Sequence, residues 1–405
     1  MALVALPDAP PVAYLDHAAT TPLRPEARAA MLPWLGGAFG NPSGAHAVAR
    51  AARQAIDEAR DTVAVLLGCA PNEIVFTGGG TEADNLAVLG VHAGRPGPVV
   101  ASAVEHHAVL EPVHAVGGTT FGVDRHGVVD LDALAAALTA DTTLVSVMTA
   151  NNEVGTVQPL DDVARVVRRR APEAVLHTDA VQGAAWLDVG RSAAACDLVS
   201  VSAHKVGGPQ GVGALVVRRG TPLAARALGG GQERELRSGT HNVAGIVGMA
   251  AALAASAERR DEEVARVAGL RRRLAAGLLD AVPEAWLTTN LPANGEQSPL
   301  PVRGQVRDVL PGFVHLTVPG VESEALLFLL DESGVCASAA SACASGAQEA
   351  SHVLAAMGVD PDPTVGALRL SLGWTSSDAD VDRALAVIPA AVERLRSAAR
   401  AGVGS

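Results

Sequence analysis

The sequence predicts an α/β fold with a mainly parallel sheet, and two observations carry that prediction. Between about residues 45 and 220, short β-rich runs alternate with stretches of helical periodicity, the pattern left when helices cross over between parallel strands. The polar and glycine-rich segments of this region fall at the ends of the β-rich runs, where open α/β sheets bind their ligands.

In chain order the expected strands are 74–76, 99–102, 144–148, 175–177, 198–201 and 214–217, each short and rich in aliphatic or β-branched residues. Helical patterns at 130–139 and 160–170 lie between them. Over 258–279, Val267, Leu270, Leu274 and Leu278 recur on one side of a charged segment, which predicts a helix packed along a single stripe and the start of a second domain. Residues 288–304, rich in Pro, Asn and Gly, read as an exposed excursion. Apolar runs at 314–318 and 325–330 follow, then a small-residue segment at 338–352 that contains Cys343.

The chain of 405 residues has room for a large core and two or three domains. Hydrophobic residues at 49% and charged residues at 18% indicate neither disorder nor a fibrous architecture. A net charge of -12 disfavours direct binding to nucleic acid or to an anionic membrane. The start of the chain lacks a basic stretch and reaches Pro7 too soon for a signal-peptide core, and no apolar run is long enough to span a bilayer. The expectation is a soluble cytoplasmic protein. Cys69, Cys196, Cys336 and Cys343 form no CxxC pair and have no His at ligand spacing, so no metal site is expected and any special cysteine acts as a thiol.

The 31 basic residues are 30 Arg and a single Lys, Lys205. Arg replaces Lys in most ion pairs, but it cannot deprotonate to a nucleophilic amine, so the one remaining Lys stands out. Lys205 follows the expected strand 198–201 in the run SVSAHKVGGPQ, with Ser202 and His204 beside it. Earlier, FTGGGTEADN joins a strand end to a triple-glycine turn and a helix start, with Gly80 and Thr81 at the junction. Such a turn lets backbone N–H groups and a helix dipole meet an anion, although the same residues also suit an ordinary tight turn. It has neither the Lys of a nucleoside-triphosphate loop nor the dinucleotide spacing. In LHTDAVQ, Asp179 falls just past a strand, where a carboxylate can either cap a helix or pair with a protonated ring nitrogen.

Strand, Asp179, strand, Lys205, with a glycine-rich anion turn before them, resembles the cysteine desulfurases of the NifS/IscS-like group. That group lies within the class V aminotransferases of the pyridoxal-phosphate-dependent aspartate-aminotransferase-like fold (fold type I). The likeness runs from YLDHAATTP at Tyr14 to LRLSLGWTSS ending at Ser377. It implies a large cofactor domain over 17–257 with a seven-stranded, mainly parallel sheet, and a smaller α/β domain from 1–16 and 258–405 that carries the cysteine loop.

By this resemblance the cofactor is pyridoxal 5'-phosphate, bound covalently to Lys205. Gly80, Thr81, Ser202 and His204 hold its phosphate, joined by Thr240 of RSGTHNV, which in the family reaches across a dimer interface and so implies a homodimer. Asp179 pairs with the ring nitrogen, Gln182 bonds the ring hydroxyl, and His106 of EHHAVLEP stacks on the ring and shuttles protons. Asn152 contacts the cofactor and, with Arg369, the substrate carboxylate, a task suited to the guanidinium fork. Cys343 receives sulfur from L-cysteine as a persulfide and releases alanine. It then passes the sulfur to an acceptor protein, an iron-sulfur scaffold or a tRNA-thiolation enzyme. Cys336, seven residues earlier, is expected in the preceding strand. The rival readings are a selenocysteine lyase or another aminotransferase-like enzyme, which needs no Cys343, and a catalytically idle scaffold for a sulfur-handling partner. The lysine motif departs from the group in having Ala203 where Gly is common.

Overall fold

A computed structural model describes residues 12–288, 309–339, 351–359 and 365–403. In chain order the described strands are β1 (Ala13–Tyr14), β2 (Ile74–Thr77), β3 (Val99–Ser102), β4 (Thr119–Phe121), β5 (Leu144–Ser146), β6 (Val175–Asp179), β7 (Leu198–Ser202), β8 (Gly213–Val217), β9 (Trp286–Leu287), β10 (Phe313–Pro319), β11 (Val335–Cys336) and β12 (Val365–Ser371). Seven of them form one sheet in the order β2-β8-β7-β6-β5-β3-β4. Pairing is parallel from β4 through β3, β5 and β6 to β7, and β8 runs antiparallel to both β7 and β2.

β2, β3 and β5 through β8 are buried along their whole length, which is why they read as unbroken apolar runs and not as alternating ones. One face of the sheet packs on the helices Ala47–Leu66, Leu160–Arg170 and Val243–Glu258 through Ile56, Val63, Val163, Val167, Ile246 and Met249. The other face packs on Gly80–Gly94 and His107–Ala115 through Leu86, Val91, Val109 and Val113. A separate core joins β10, between β12 and β9, to the helices Arg260–Ala281, Ser323–Glu332 and Asp378–Val403. β1 pairs with β11 in parallel, and Ala13 and Leu15 enter this second core.

The expected elements recur with instructive shifts. Helix Leu160–Arg170 falls where the apolar period places it, and Leu131–Ala137 begins after Asp130, whose Oδ1 accepts from the N–H groups of Asp132 and Ala133. β5 ends at Ser146, short of the expected 148, because the Met148 N–H turns to the Glu105 carboxyl at 2.6 Å. β6 runs on to Asp179, a residue disfavoured in strands, because it pairs in register with Ser200. Periodicity misses β4, a short edge strand whose flanking Gly117, Gly118 and Gly122 look like turn residues. Thr288 corrects the expected exposed excursion: it is fully buried, with its hydroxyl 2.7 Å from His315 Nδ1 and 2.9 Å from Thr317 Oγ1. The rest of that excursion, 289–304, lies outside the described residues.

Candidate active site

The anion turn is assembled where β2 meets helix Gly80–Gly94. Gly79 takes φ +150, a backbone state that L side chains rarely adopt, and a Cβ on Gly80 would come 2.8 Å from Val181 Cγ2. The turn is braced from behind. Thr77 Oγ1 donates to the Gly79 carbonyl at 2.9 Å, and the Gly78 N–H donates to Glu82, which is itself paired with Arg237 at 2.7 Å. The helix N-terminus therefore opens into a cavity of about 800 Å³. Gly80, Thr81, Ser202 and His204 line it together, with Thr20 and Asn85, which the sequence motifs do not single out.

Lys205 lies in a single tight turn, Ala203–Lys205, directly after β7. Its Nζ donates to the carbonyls of Ala18 and Ala19, the latter at 2.9 Å. Gln182 Nε2 donates to the same Ala18 carbonyl at 2.7 Å, so Gln182 and Lys205 meet on one backbone oxygen. The turn is clamped from below by Arg24. Its N–H donates to Gly207 O at 2.8 Å, its Nε donates to Val206 O at 3.0 Å, and its two Nη groups reach Glu263 at 2.9 and 2.7 Å. Both partners of that ion pair are buried. Sequence reasoning does not find Arg24 or the carbonyls of 18 and 19, since they gain meaning only from contacts across the chain.

Asp179 ends β6, with its Oδ1 accepting from the Val181 N–H at 2.8 Å. Burial, reinforced by Asp84, pushes its carboxyl up to about 7, against the pull of Val181, His177 and Lys205. A cation set against it would draw it back to the ionised form. His106 caps helix His107–Ala115, its Nδ1 accepting from the Ala108 N–H at 3.0 Å. Burial, then the charges of Lys205, His107 and His352, lower it to about 4. At neutral pH the ring is uncharged, and because Nδ1 accepts, its proton sits on Nε2. His107, the neighbour it is most easily confused with, turns away onto His352, with ring centroids 4.7 Å apart.

Arg369 and Asn152 are brought together, although through the Asn152 backbone: Arg369 Nη1 donates to Asn152 O at 2.9 Å. Arg369 Nη2 pairs with Asp16 at 2.8 Å, an orienting partner absent from the sequence reading. The buried Arg369 Nε has no hydrogen-bond partner among the described residues. Thr240 is exposed and does not line the 800 Å³ cavity. Cys343 lies outside the described residues. Cys336 sits in β11 as expected, its thiol raised by burial, and burial lifts Cys69 to about 11 and Cys196 to about 12. These three thiols are therefore protonated, poor nucleophiles at neutral pH. Among the described residues no cluster of His, Cys, Asp and Glu is arranged to hold a metal ion.

The structure thus offers an anion cradle, one amine whose charge bears on a buried carboxyl, and a guanidinium on β12. That donor set suits an aromatic aldehyde bearing a phosphate and a basic ring nitrogen, together with an amino-acid substrate. Residues 13–384 match the family described as aminotransferase class-V. The chain is 43% identical to the IscS-like cysteine desulfurase of Mycobacterium tuberculosis, over 97% of this chain and 100% of that one. It is 40% identical to the cysteine desulfurase IscS of Dictyoglomus turgidum, over 95% of each. Among solved structures, a NifS-like protein superposes with a TM-score of 0.85 at 34% identity, covering 94% of this chain and 99% of that one. A structure titled as SspA in complex with cysteine gives a TM-score of 0.73 at 30% identity, over 89% and 98% of the two chains.

Proposed function

We propose, from the premise that the chain belongs to the aminotransferase class-V family and within it to the NifS/IscS-like cysteine desulfurases, that it binds pyridoxal 5'-phosphate on Lys205 and moves sulfur from L-cysteine to Cys343. The observation that carries this reading is the placement of the only lysine in the chain. Lys205 follows His204, which lines the anion cradle, its Nζ reaches the carbonyl of Ala19 on the same lining, and its charge bears on the buried Asp179.

When bound, the cofactor supplies an electron sink that makes the substrate Cα–H acidic. Gly80, Thr81, Ser202 and His204 hold the phosphate, Asp179 faces the ring nitrogen and Gln182 the ring hydroxyl. Arg369 and Asn152 hold the substrate carboxylate, which aligns the Cα–H with Lys205 Nζ. The Lys205 amine takes that proton, and the Nε2–H of neutral His106 is available to return one. The Cys343 thiolate then attacks the substrate sulfur. An S–S bond forms as the Cβ–S bond breaks, the electron pair stays on the carbon fragment, and that fragment picks up protons and leaves as alanine.

The high thiols of Cys69, Cys196 and Cys336 support Cys343 as the acceptor. Exposure of Thr240 away from its own cavity supports a homodimer in which it serves the site of the second copy. The two separate cores support a division into 17–257 and 1–16 with 258–405. The names of the relatives, cysteine desulfurases, support release of sulfur from cysteine, and the acceptor we propose is an iron-sulfur scaffold or a tRNA-thiolation enzyme in the cytoplasm. No helix of the described residues is long and apolar enough to cross a membrane.

The test is alanine release from L-cysteine with dithiothreitol, alongside intact mass without reductant. Parent protein gains one sulfur. Cys343→Ser keeps the cofactor but releases alanine only at background and gains no mass, whereas Cys336→Ser and Cys69→Ser turn over normally. Parental turnover by Cys343→Ser, or added sulfur on Cys336, would overturn the assignment.

A further inference from the structure

Beneath Asp179 the sheet buries a second polar layer that the reaction above does not use. Asp179 and His177 stand two apart on β6 and share a face of the sheet. The His177 ring is wholly buried between two hydroxyls, with Nδ1 2.8 Å from Ser146 Oγ on β5 and Nε2 3.0 Å from Ser200 Oγ on β7. Ser146 lies directly opposite His177 in register, as Ser200 lies opposite Asp179. On one side the layer continues to Glu105, whose Oε2 is 3.4 Å from Ser146 Oγ and whose Oε1 accepts from the Met148 N–H. On the other side it reaches Asp84, whose Oδ1 sits 3.5 Å from His177 Nε2 and accepts no hydrogen bond among the described residues. This rung crosses three adjacent strands. It runs from the residue before His106 to the helix whose first turn holds Gly80 and Thr81.

Three carboxyls, Asp84, Glu105 and Asp179, are thus packed in one dry layer. Lys205 bears on this layer from the Asp179 side. More than one negative charge there is costly, so the charge settles where a cation can face it. Burial pushes Glu105 well above the ordinary range and Asp84 up to about 7, while it lowers His177 to about 4. Ser146 Oγ donates to Glu105 Oε2, so the neutral His177 ring carries its proton on Nδ1 toward Ser146 and turns Nε2 to Ser200.

Resting on the reading of Asp179 as the ring-nitrogen partner, we propose that His177 is a positioning residue: wedged between Ser146 and Ser200, it leaves Asp179 as the one ionised carboxylate of the layer and so keeps the proton on the cofactor's ring nitrogen. Replacing the ring by an aliphatic side chain takes away the group that Ser146 and Ser200 both contact and leaves Asp179 in a less polar layer, which disfavours its ionised form.

The experiment loads the protein with pyridoxal phosphate carrying 15N in the ring and follows the nitrogen chemical shift between pH 6 and 9. Parent protein is expected to hold the protonated shift across the range. In His177→Leu the nitrogen should lose its proton earlier, its midpoint moving down by on the order of one pH unit. His177→Gln, which can still donate and accept, should restore the parent curve. Should His177→Leu fail to fold, Ser146→Ala cuts the same rung and should move the midpoint in the same direction. Folded, cofactor-loaded His177→Leu or Ser146→Ala with the parent curve overturns the proposal. Asp179→Asn separates the two readings. If it too keeps the protonated shift, the ring-nitrogen role of Asp179 fails. If it alone loses that shift, Asp179 stands and only the role of His177 fails.

Discussion

The proposed phosphate cradle and the proposed ring contacts are built from different kinds of group. At the proposed phosphate end the donors are backbone N–H groups, hydroxyls and the His204 ring, set around a glycine turn whose shape needs no particular charge state. At the proposed ring end buried Asp179 and half-buried His106, backed by buried His177, Glu105 and Asp84, are ionisable side chains whose charges are set by burial and by one another. On the proposed reading, the difference teaches that holding the cofactor is shared among several modest contacts, whereas directing its chemistry depends on single side chains. Losing one hydroxyl should weaken retention by a step. Losing one buried charge should remove a function.

The largest expected effect breaks the comparison at its centre. Lys205→Ala should retain cofactor only through the phosphate end, lose the adduct trapped by borohydride and show no alanine release above background. Intact mass after reduction reads this, and trapping that survives the substitution would mean that the amine lies elsewhere.

Next come paired substitutions, one at each end. Asp179→Asn should slow Cα proton removal roughly 10²–10³-fold, the usual cost of losing one preorganised electrostatic group, while cofactor retention changes little. Thr81→Ala should do the reverse, weakening retention roughly tenfold or more, as for a hydrogen bond to a charged group, with proton removal nearly intact. Cα hydrogen exchange in D2O and equilibrium dialysis measure the two quantities. Equal losses in both assays for both variants would abolish the distinction.

At the substrate side, Arg369→Lys keeps the charge but not the fork, and it also loosens the contacts to Asp16 and Asn152. The KM for L-cysteine should rise roughly 10–100-fold with a smaller change in kcat, reflecting charged hydrogen bonds of about 1.5–3 kcal/mol. An unchanged KM would place the carboxylate elsewhere.

The smallest effect calibrates the burial argument away from the cavity. His315 lies on β10, lowered to about 3 chiefly by burial. Because its unfolded value is about 6.5, the unfolded chain binds more protons between these limits, so its contribution to stability is full above 6.5 and is lost as pH falls towards 3. The slope from this one residue is at most about 1.4 kcal/mol per pH unit. Urea midpoints at pH 7 and pH 5 should therefore differ less in His315→Gln than in the parent, and an equal difference would mean that the ring is not held neutral.

Contiguous motifs are legible in the amino-acid sequence alone. The triple glycine with Thr81, the pair His204 and Lys205, and Asp179 at a strand end each occupy a few neighbouring residues whose backbone needs are written locally, and the strand periods around them follow from burial on both faces. Composition singles out Lys205 as well, since only one residue in the chain has a deprotonatable alkyl amine on its side chain. What only the tertiary structure decided is which distant groups meet: the Ala18 carbonyl with both Lys205 and Gln182, Asp16 with Arg369, Arg24 with Glu263, and Asp84 with His177. These partners are separated by up to hundreds of residues. Their charge states depend on burial, which is a property of the closed sheet and its covering helices and leaves no periodic trace in the chain.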